Sequence, residues 1–265
     1  MTLLLAWAAF DDGKTDPSAV YITTDSRISW GNNSTWDYAQ KVFCIPITKE
    51  IFGYCGDVMC VTQTLSQIVQ LGNLGGFNSL PTTLNRVELY ADLIKDALIS
   101  YPKEQIVSSS SIIYIQRHIN SYNVFEIIIS KEMVVTINKI EFTRNVKPSE
   151  KKERTDRIIR GSGASTFRGK VPPDTTYQAF HRFCECIDDV NLPSVGGVPQ
   201  VVTIRRNGHC LLLGINKNGD NRVLGLPVQA PDLFSGINEW KNENFERWDP
   251  KQNQLVIGAK KQPKA

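Results

Sequence analysis

Thr2 follows Met1 directly. Methionine aminopeptidases remove an initiator Met that precedes a small residue, so processing would leave a threonine carrying both a hydroxyl and a free α-amine. A hydroxyl attacks poorly until a base takes its proton, and the amine of the same residue can take it directly or through water. An α-amine with an ordinary pKa of about 7.7–8.0 is partly neutral near pH 7. A lysine ammonium nearby disfavours protonation of that amine, and a carboxylate is needed to fix the lysine. Acyl transfer from Thr2 therefore demands a lysine–acid pair delivered by other parts of the fold.

No other chemistry competes strongly. Cys44, Cys55, Cys60, Cys184, Cys186 and Cys210 sit in apolar segments and form no CxxC pair, which suits buried, reduced thiols. Cys184 and Cys186 lie two apart on an expected helix and cannot face one another, so no metal is expected there. His118, His181 and His209 are scattered singly. We expect neither metal nor cofactor. A net charge of +3 gives no reason to expect a nucleic-acid partner.

The opening MTLLLAWAAF is apolar, but no basic residue precedes it and Asp11-Asp12 follows, unlike a secretory signal. No segment approaches the ~20 apolar residues of a membrane span. The expectation is a cytoplasmic chain, on which the sequons at Asn32 and Asn33 carry no weight.

The elements that must position Thr2 show in the periodicity. Residues 2–10 are continuously apolar, as in a strand covered on both faces, which we expect to be central. Asp11-Asp12-Gly13 and Asp16-Pro17 mark a turn, and a strand over 19–24 leads into Asp25-Ser26-Arg27. A Gly/Asn/Ser-rich loop is expected over 31–36. Strands follow at 41–45 and 51–54. Asp57 caps an expected helix near 57–71, with Val58, Val61, Leu65 and Ile68 on its buried face. A second helix fits 83–100, with Leu84, Val87, Ala91, Ile94 and Leu98 inward and Pro102 as its stop. Residues 111–142 return to strands, and the charged stretch 147–157 is expected to be a solvated loop. A third helix fits 174–190, capped by Asp174, with Tyr177, Phe180, Cys184 and Ile187 inward. Strands follow at 200–205 and 210–215, with a turn at Asn218-Gly219-Asp220. Two sheets needing cover and helices in separate blocks imply a layered α/β sandwich.

Several motifs carry a family resemblance. Tyr21-Ile22-Thr23-Thr24-Asp25-Ser26-Arg27-Ile28-Ser29 resembles the strand-end motif of proteasome β subunits and their bacterial relatives, where Asp, Ser and Arg follow an apolar strand. Lys41, opening Lys41-Val42-Phe43, is similar to the family's catalytic lysine at a matching distance from Asp25. Cys55-Gly56-Asp57 resembles the small-Gly-acid turn before the first long helix. Gly161-Ser162-Gly163-Ala164-Ser165-Thr166-Phe167 resembles the family's Gly-Ser-Gly turn. Ser194-Val195-Gly196-Gly197 is similar to its Ser-Gly-Gly turn. The resemblance spans about residues 2–215.

That resemblance implies an N-terminal-nucleophile (Ntn) hydrolase, α+β, with two antiparallel sheets between helix layers in a four-layer αββα sandwich. Residues 1–225 would form this domain and 226–265 a partly packed extension ending in a frayed tail. The implied roles are Thr2 as nucleophile, Lys41 setting the electrostatics of the amine, Asp25 holding Lys41, and the Gly56 amide as oxyanion donor. Gly56 also has a physical case, because backbone N–H groups at an expected helix start favour negative charge. Ser162 and Ser194 would support the nucleophile, together with Asp189 or Asp188. Tyr54 and Ser29 would line the substrate pocket.

The chain departs from the pattern in three ways: a longer segment between Thr2 and Asp25, acids set well upstream of Ser194, and Val195 in place of the turn's first glycine. The implied function is a proteasome-like threonine peptidase or amidohydrolase acting on peptide or protein after loss of Met1, and forming a ring or stacked-ring homo-oligomer. The alternative is a silent subunit of the same fold serving in assembly or binding; the absence of a long segment before Thr2 favours the enzyme. A small-molecule amidase would share the chemistry.

Overall fold

The computed structural model describes residues 2–30, 34–144, 154–169, 175–189, 193–237 and 239–261. In chain order the elements are β1 (Leu3–Phe10), β2 (Pro17–Thr24), β3 (Ile28–Ser29), β4 (Thr35–Trp36), β5 (Val42–Ile45) and β6 (Glu50–Cys55), then α1 (Met59–Asn73) and α2 (Thr83–Ile99). Next come β7 (Ser110–His118), β8 (Ser121–Ile129), β9 (Val135–Phe142), β10 (Arg154–Thr155), β11 (Arg157–Gly161), α3 (Ala164–Arg168) and α4 (Thr176–Ile187). Last are β12 (Gln200–Arg205), β13 (Cys210–Lys217), β14 (Asp220–Val223), β15 (Leu226–Pro227) and β16 (Trp240–Lys241), followed by a short hairpin.

One sheet runs β11-β1-β2-β12-β13-β14-β15, with β16 added on β13, and the other runs β10-β9-β8-β7-β6-β5. Pairing is antiparallel except for β10 on β9 and β16 on β13. β1 is an interior strand between β11 and β2, one place in from the sheet edge rather than at the middle. Its apolar run has a different cause from central placement. Side chains alternate along a strand, so Leu4, Ala6 and Ala8 enter one core while Leu3, Leu5 and Trp7 enter another.

The first of these cores joins the two sheets, setting Leu4, Ile22 and Val202 against Val42, Ile51 and Ile113. The second lies under α3 and α4, through Phe167, Phe180 and Phe183. A third core packs α1 and α2 on the outer face of the other sheet, around Phe52, Tyr90, Tyr114 and Phe125. Each fully buried large side chain contributes about 1.5–3 kcal/mol of hydrophobic stabilisation.

Helix ends follow local chemistry. Asp57 Oδ1 accepts from the Cys60 amide at 2.9 Å, capping α1 from just outside its first turn. After Asn73, Gly75 (φ +83°) reverses the chain, and the Gly76 amide bonds the Leu71 carbonyl at 2.9 Å. α4 is shorter than expected. Thr175 caps it, accepting from Gln178 N at 3.2 Å; Asp174, the expected cap, lies outside the described residues. On α2 the buried face is Thr83, Val87, Tyr90, Ala91, Ile94 and Leu98, whereas Leu84 is half exposed.

Part of the expected loop over 31–36 forms a strand, since Ile28 and Ser29 pair with Trp36 and Thr35; residues 31–33 lie outside the described residues. The same holds at the charged stretch 147–157, whose end is extended chain in β10 and β11 while residues 145–153 lie outside the description.

Asn218 and Gly219 both have positive φ between Lys217 and Asp220, giving the two-residue turn that joins β13 to β14. The C-terminal segment docks where it meets no side chain. A Cβ on Gly214 would lie 2.3 Å from the Trp240 ring, so glycine lets the indole lie on β13. Phe245 then packs on Trp7, Tyr21 and Phe180. The end of the lysine-rich tail, 262–265, lies outside the described residues.

The tightest backbone approach is at the end of β11. Gly161 has φ +91°, and a Cβ there would sit 1.9 Å from the Thr2 carbonyl oxygen. Gly161→Ala should therefore lose about 3 kcal/mol or more of unfolding free energy in urea. A loss under about 1 kcal/mol would show that this approach relaxes freely.

Candidate active site

Three strand ends meet at one end of the inter-sheet core. Thr2 precedes β1, Asp25 follows β2, and Lys41 precedes β5. Their side chains are fully buried. Pairing of Leu4 with Thr24 sets the geometry, because the next residues out are Leu3 and Asp25. The Asp25 amide bonds the Leu3 carbonyl at 3.2 Å, and Asp25 Oδ1 accepts from the Leu3 amide at 3.1 Å.

Lys41 Nζ donates to Thr2 Oγ1 at 2.9 Å, to Asp25 Oδ1 at 3.0 Å and to the Arg27 carbonyl at 2.5 Å. An ammonium has three protons, so these contacts use all of them. Asp25 Oδ2 accepts from the amides of Arg27 and Gly196, each at 3.2 Å. Every contact to the carboxylate is a donor, which requires the ionised form. Burial pushes the Asp25 carboxyl up against the pull of Lys41 and these amides. Burial likewise pulls Lys41 below its ordinary range, and Asp25 resists. The site thus holds an ammonium that gives up a proton more readily than a surface lysine, in contact with a hydroxyl.

The turn Ser26-Arg27 anchors the loop that carries Ser194. Ser26 N bonds the Gly196 carbonyl at 3.2 Å, and Ser26 Oγ accepts from Val198 N at 2.9 Å. Arg27 pairs with Asp37 through two bonds, 2.7 and 2.9 Å, and donates to the carbonyls of Pro193 and Val195 at 3.3 Å. A Cβ on Gly196 would lie 2.3 Å from the guanidinium carbon, so glycine is needed beside Arg27. Ser194 Oγ lies 3.0 Å from Ser162 Oγ, and Ser162 follows the Gly161 that abuts Thr2. Gln200 closes the floor. Its Oε1 accepts from the Lys41 amide at 3.1 Å and its Nε2 donates to the Ala39 carbonyl at 2.5 Å.

The remaining expected residues are placed as follows. Gly56 (φ +114°) turns the chain out of β6, and a Cβ on it would strike Ser110 at 2.4 Å. It lies near Thr2, because its neighbour Cys55 and the Thr2 carbonyl both flank Gly161. α1 begins only at Met59, so Gly56 precedes the helix rather than opening it.

Asp188 ends α4 and bonds Lys217 Nζ at 2.5 Å, which commits it to a structural pair; Asp189 beside it is half-buried. Tyr54 departs from the expected pocket-lining place. Its ring is fully buried in the core under α1, with its hydroxyl 2.5 Å from Thr62 Oγ1, so it offers no open surface to a substrate. Ser29 is half-buried on β3, two residues past Arg27, and among the described residues its buried hydroxyl has no hydrogen-bond partner.

Sequence reasoning assigned no part to Arg27, Asp37 or Gln200. The signal for Gln200 was a polar residue at the head of an apolar strand, but that pattern also fits an exposed strand end. Nothing in the sequence joins Asp37 to Arg27 across the intervening hairpin.

The Lys41–Asp25 pair can be tested by stability. Asp25→Asn should lose about 3–5 kcal/mol, because it strands a buried ammonium. Lys41→Met should lose a similar amount by stranding the carboxylate. The double variant should lose about 2 kcal/mol less than the sum in urea unfolding. Strict additivity would show that the two charges do not act as a pair.

No family model matches the sequence, and no curated protein is significantly similar to it. Solved structures do match. Anbu (ancestral beta-subunit) from Yersinia bercovieri superposes with TM-score 0.54 at 13% identity, over 77% of this chain and 82% of that one. An Anbu mutant from Hyphomicrobium sp. strain MC1 gives TM-score 0.49 at 13% identity, over 86% and 89% of the two chains. Eukaryotic HslV from Trypanosoma brucei gives 0.47 at 13% identity, over 77% and 99%. At this identity the likeness concerns architecture alone: the chain shares its fold with Anbu (ancestral beta-subunit).

Proposed function

We propose that this chain is a threonine-type hydrolase of peptide or other amide bonds, with Thr2 as nucleophile once its α-amine is free. The observation that carries the reading is the 2.9 Å contact between Lys41 Nζ and Thr2 Oγ1, with Asp25 and the Arg27 carbonyl fixing the lysine. In the reaction Thr2 Oγ1 forms a bond to the substrate carbonyl carbon. The hydroxyl proton passes to the α-amine or to a neutral Lys41, both attached to or touching the same residue. The Gly56 amide meets the developing oxyanion; one such donor is worth about 3 kcal/mol. Collapse breaks the carbon–nitrogen bond, the amine leaves with the proton, and water hydrolyses the ester left on Thr2. Ser162 and Ser194 order the site beside Gly161, with Asp189 as the supporting acid and Ser29 on the substrate side.

We assign the architecture as a four-layer αββα sandwich, with 1–225 as the catalytic domain and 226–265 as an extension docked through Trp240 and Phe245. No helix among the described residues is long and apolar enough to cross a membrane. We further assign the protein to the cytoplasm and to a homo-oligomer of ring type, acting on peptide or protein. Light scattering at micromolar concentration should give a mass several times the 29.8 kDa of one chain; a monomer overturns that assignment.

One observation favours a second reading. Thr2 is fully buried, as suits a silent subunit whose nucleophile position is never exposed. A peptide epoxyketone separates the two, because it closes a ring on both a hydroxyl and a free amine. For the enzyme, intact mass shows loss of one methionine, the adduct forms on Thr2, and Thr2→Ala abolishes it without unfolding the protein. Thr2→Ser keeps part of the activity, and Lys41→Ala slows labelling by about 100-fold or more. Labelling should accelerate as pH rises, since a neutral base is required and burial lowers Lys41 from its ordinary 10.5. Retained Met1 with no adduct establishes the silent subunit.

A further inference from the structure

Of the six cysteines, Cys55, Cys60, Cys184 and Cys186 are buried, while Cys44 and Cys210 are half-buried. These two come from different sheets. Cys44 lies on β5 and Cys210 opens β13, and the two strands pack on one another where the sheets face. Both side chains pack against the margin of the inter-sheet core. The placement of Cys210 is fixed independently by its Sγ, 3.5 Å from the Glu50 carbonyl. Glu50 pairs with Ile45 and Ile51 pairs with Cys44, so that carbonyl is next to Cys44's own cross-strand neighbour.

The two thiols interact, which lowers the Cys44 thiol; that interaction and burial push the Cys210 thiol up. The pair is therefore asymmetric: Cys44 is the better thiolate, while Cys210 keeps its proton and donates it to the Glu50 carbonyl.

We propose that Cys44 and Cys210 are a redox-modification site at which a hydroperoxide installs a disulfide joining the two sheets. The Cys44 thiolate attacks the peroxide's terminal oxygen; a sulfur–oxygen bond forms, the oxygen–oxygen bond breaks, and the alcohol leaves with a proton. Cys210 sulfur then attacks the Cys44 sulfenic acid. The sulfur–sulfur bond forms, the sulfur–oxygen bond breaks, and water leaves carrying the Cys210 proton. Two thiols and one hydroperoxide thus yield one disulfide, one alcohol and one water. Partial exposure admits the oxidant to these two cysteines and not to the four buried ones. β5 begins at the residue after Lys41, so the bridge would pin the strand that presents that ammonium.

The test needs no hydrolytic activity, so its outcome is independent of the proposed function. Folded protein, wild type or Thr2→Ala, is treated with hydrogen peroxide, alkylated, digested and analysed by mass spectrometry. A Cys44–Cys210 cross-linked peptide should appear, vanish on reduction, and be absent from Cys44→Ser and Cys210→Ser. In Cys210→Ser, dimedone should trap a sulfenic acid on Cys44. Because the bridge spans a long loop, the oxidised protein should melt about 4 °C or more above the reduced one. Cross-linking of any other cysteine pair, prior oxidation of a buried cysteine, or no cross-link in protein whose Cys44 alkylates freely would each overturn the proposal.

Discussion

An ammonium taken out of water must find an acceptor for each proton or stop being charged. Lys41 meets that demand with a hydroxyl, a carboxylate and a carbonyl drawn from separate parts of the chain. Those partners cannot be assembled locally. They require β1 and β2 in register, the Ser26-Arg27 turn bent back under the lysine, and Gln200 holding the Lys41 backbone. Asp25 has the matching need for donors and draws in the Gly196 amide, which brings the Ser194 loop to the same spot. The buried pair adds little net stability, since desolvation consumes most of the attraction. Its effect is on uniqueness, because few other arrangements of these strands satisfy both charges.

The same logic recurs at lower stakes between and beneath the sheets. Arg160 on β11 pairs with Glu126 on β8 through two bonds, with Ser111 completing the carboxylate, so a charged tie crosses the inter-sheet core near Gly161. Burial alone would push Glu126 up, but Arg160 and Ser111 outweigh it and hold the carboxyl below its ordinary range. Under the helices, Glu50 is enclosed by Arg86 and Tyr90. Each tie joins two layers, β11 to β8 in one case and α2 to β6 in the other, so layer registry is set by polar groups while apolar contacts supply the bulk of the stability.

Much of this was legible from residue types. The doubly apolar run of β1, the Asn218-Gly219 turn and the periodic faces of α1 and α4 follow from spacing alone, because helix and strand repeats leave distinct marks. Thr2, Asp25 and Lys41 were legible through chemistry and resemblance together, and they meet within hydrogen-bonding distance. Tyr54 was read as pocket-lining from its place two residues before Gly56; alternation along β6 puts its ring, like that of Phe52, in the core under α1. Leu84 misled because Thr83 takes the inward place in the first turn of α2, while Val87, Ala91, Ile94 and Leu98 face inward as expected. Asp37 and Gln200 were invisible because their partners are set by tertiary folding, across a hairpin and between sheets.

The docking of Phe245 against Trp7 and Tyr21 has a bearing on biosynthesis. β1 and β2 leave the ribosome well before their partners, since β1 must wait for β11 on one edge, β2 for β12 on the other, and their outer face for Phe245. Contacts this distant in sequence form late. The proposed site therefore stays unassembled during most of translation, and a nascent chain carries Thr2 without the turn and floor that would arm it.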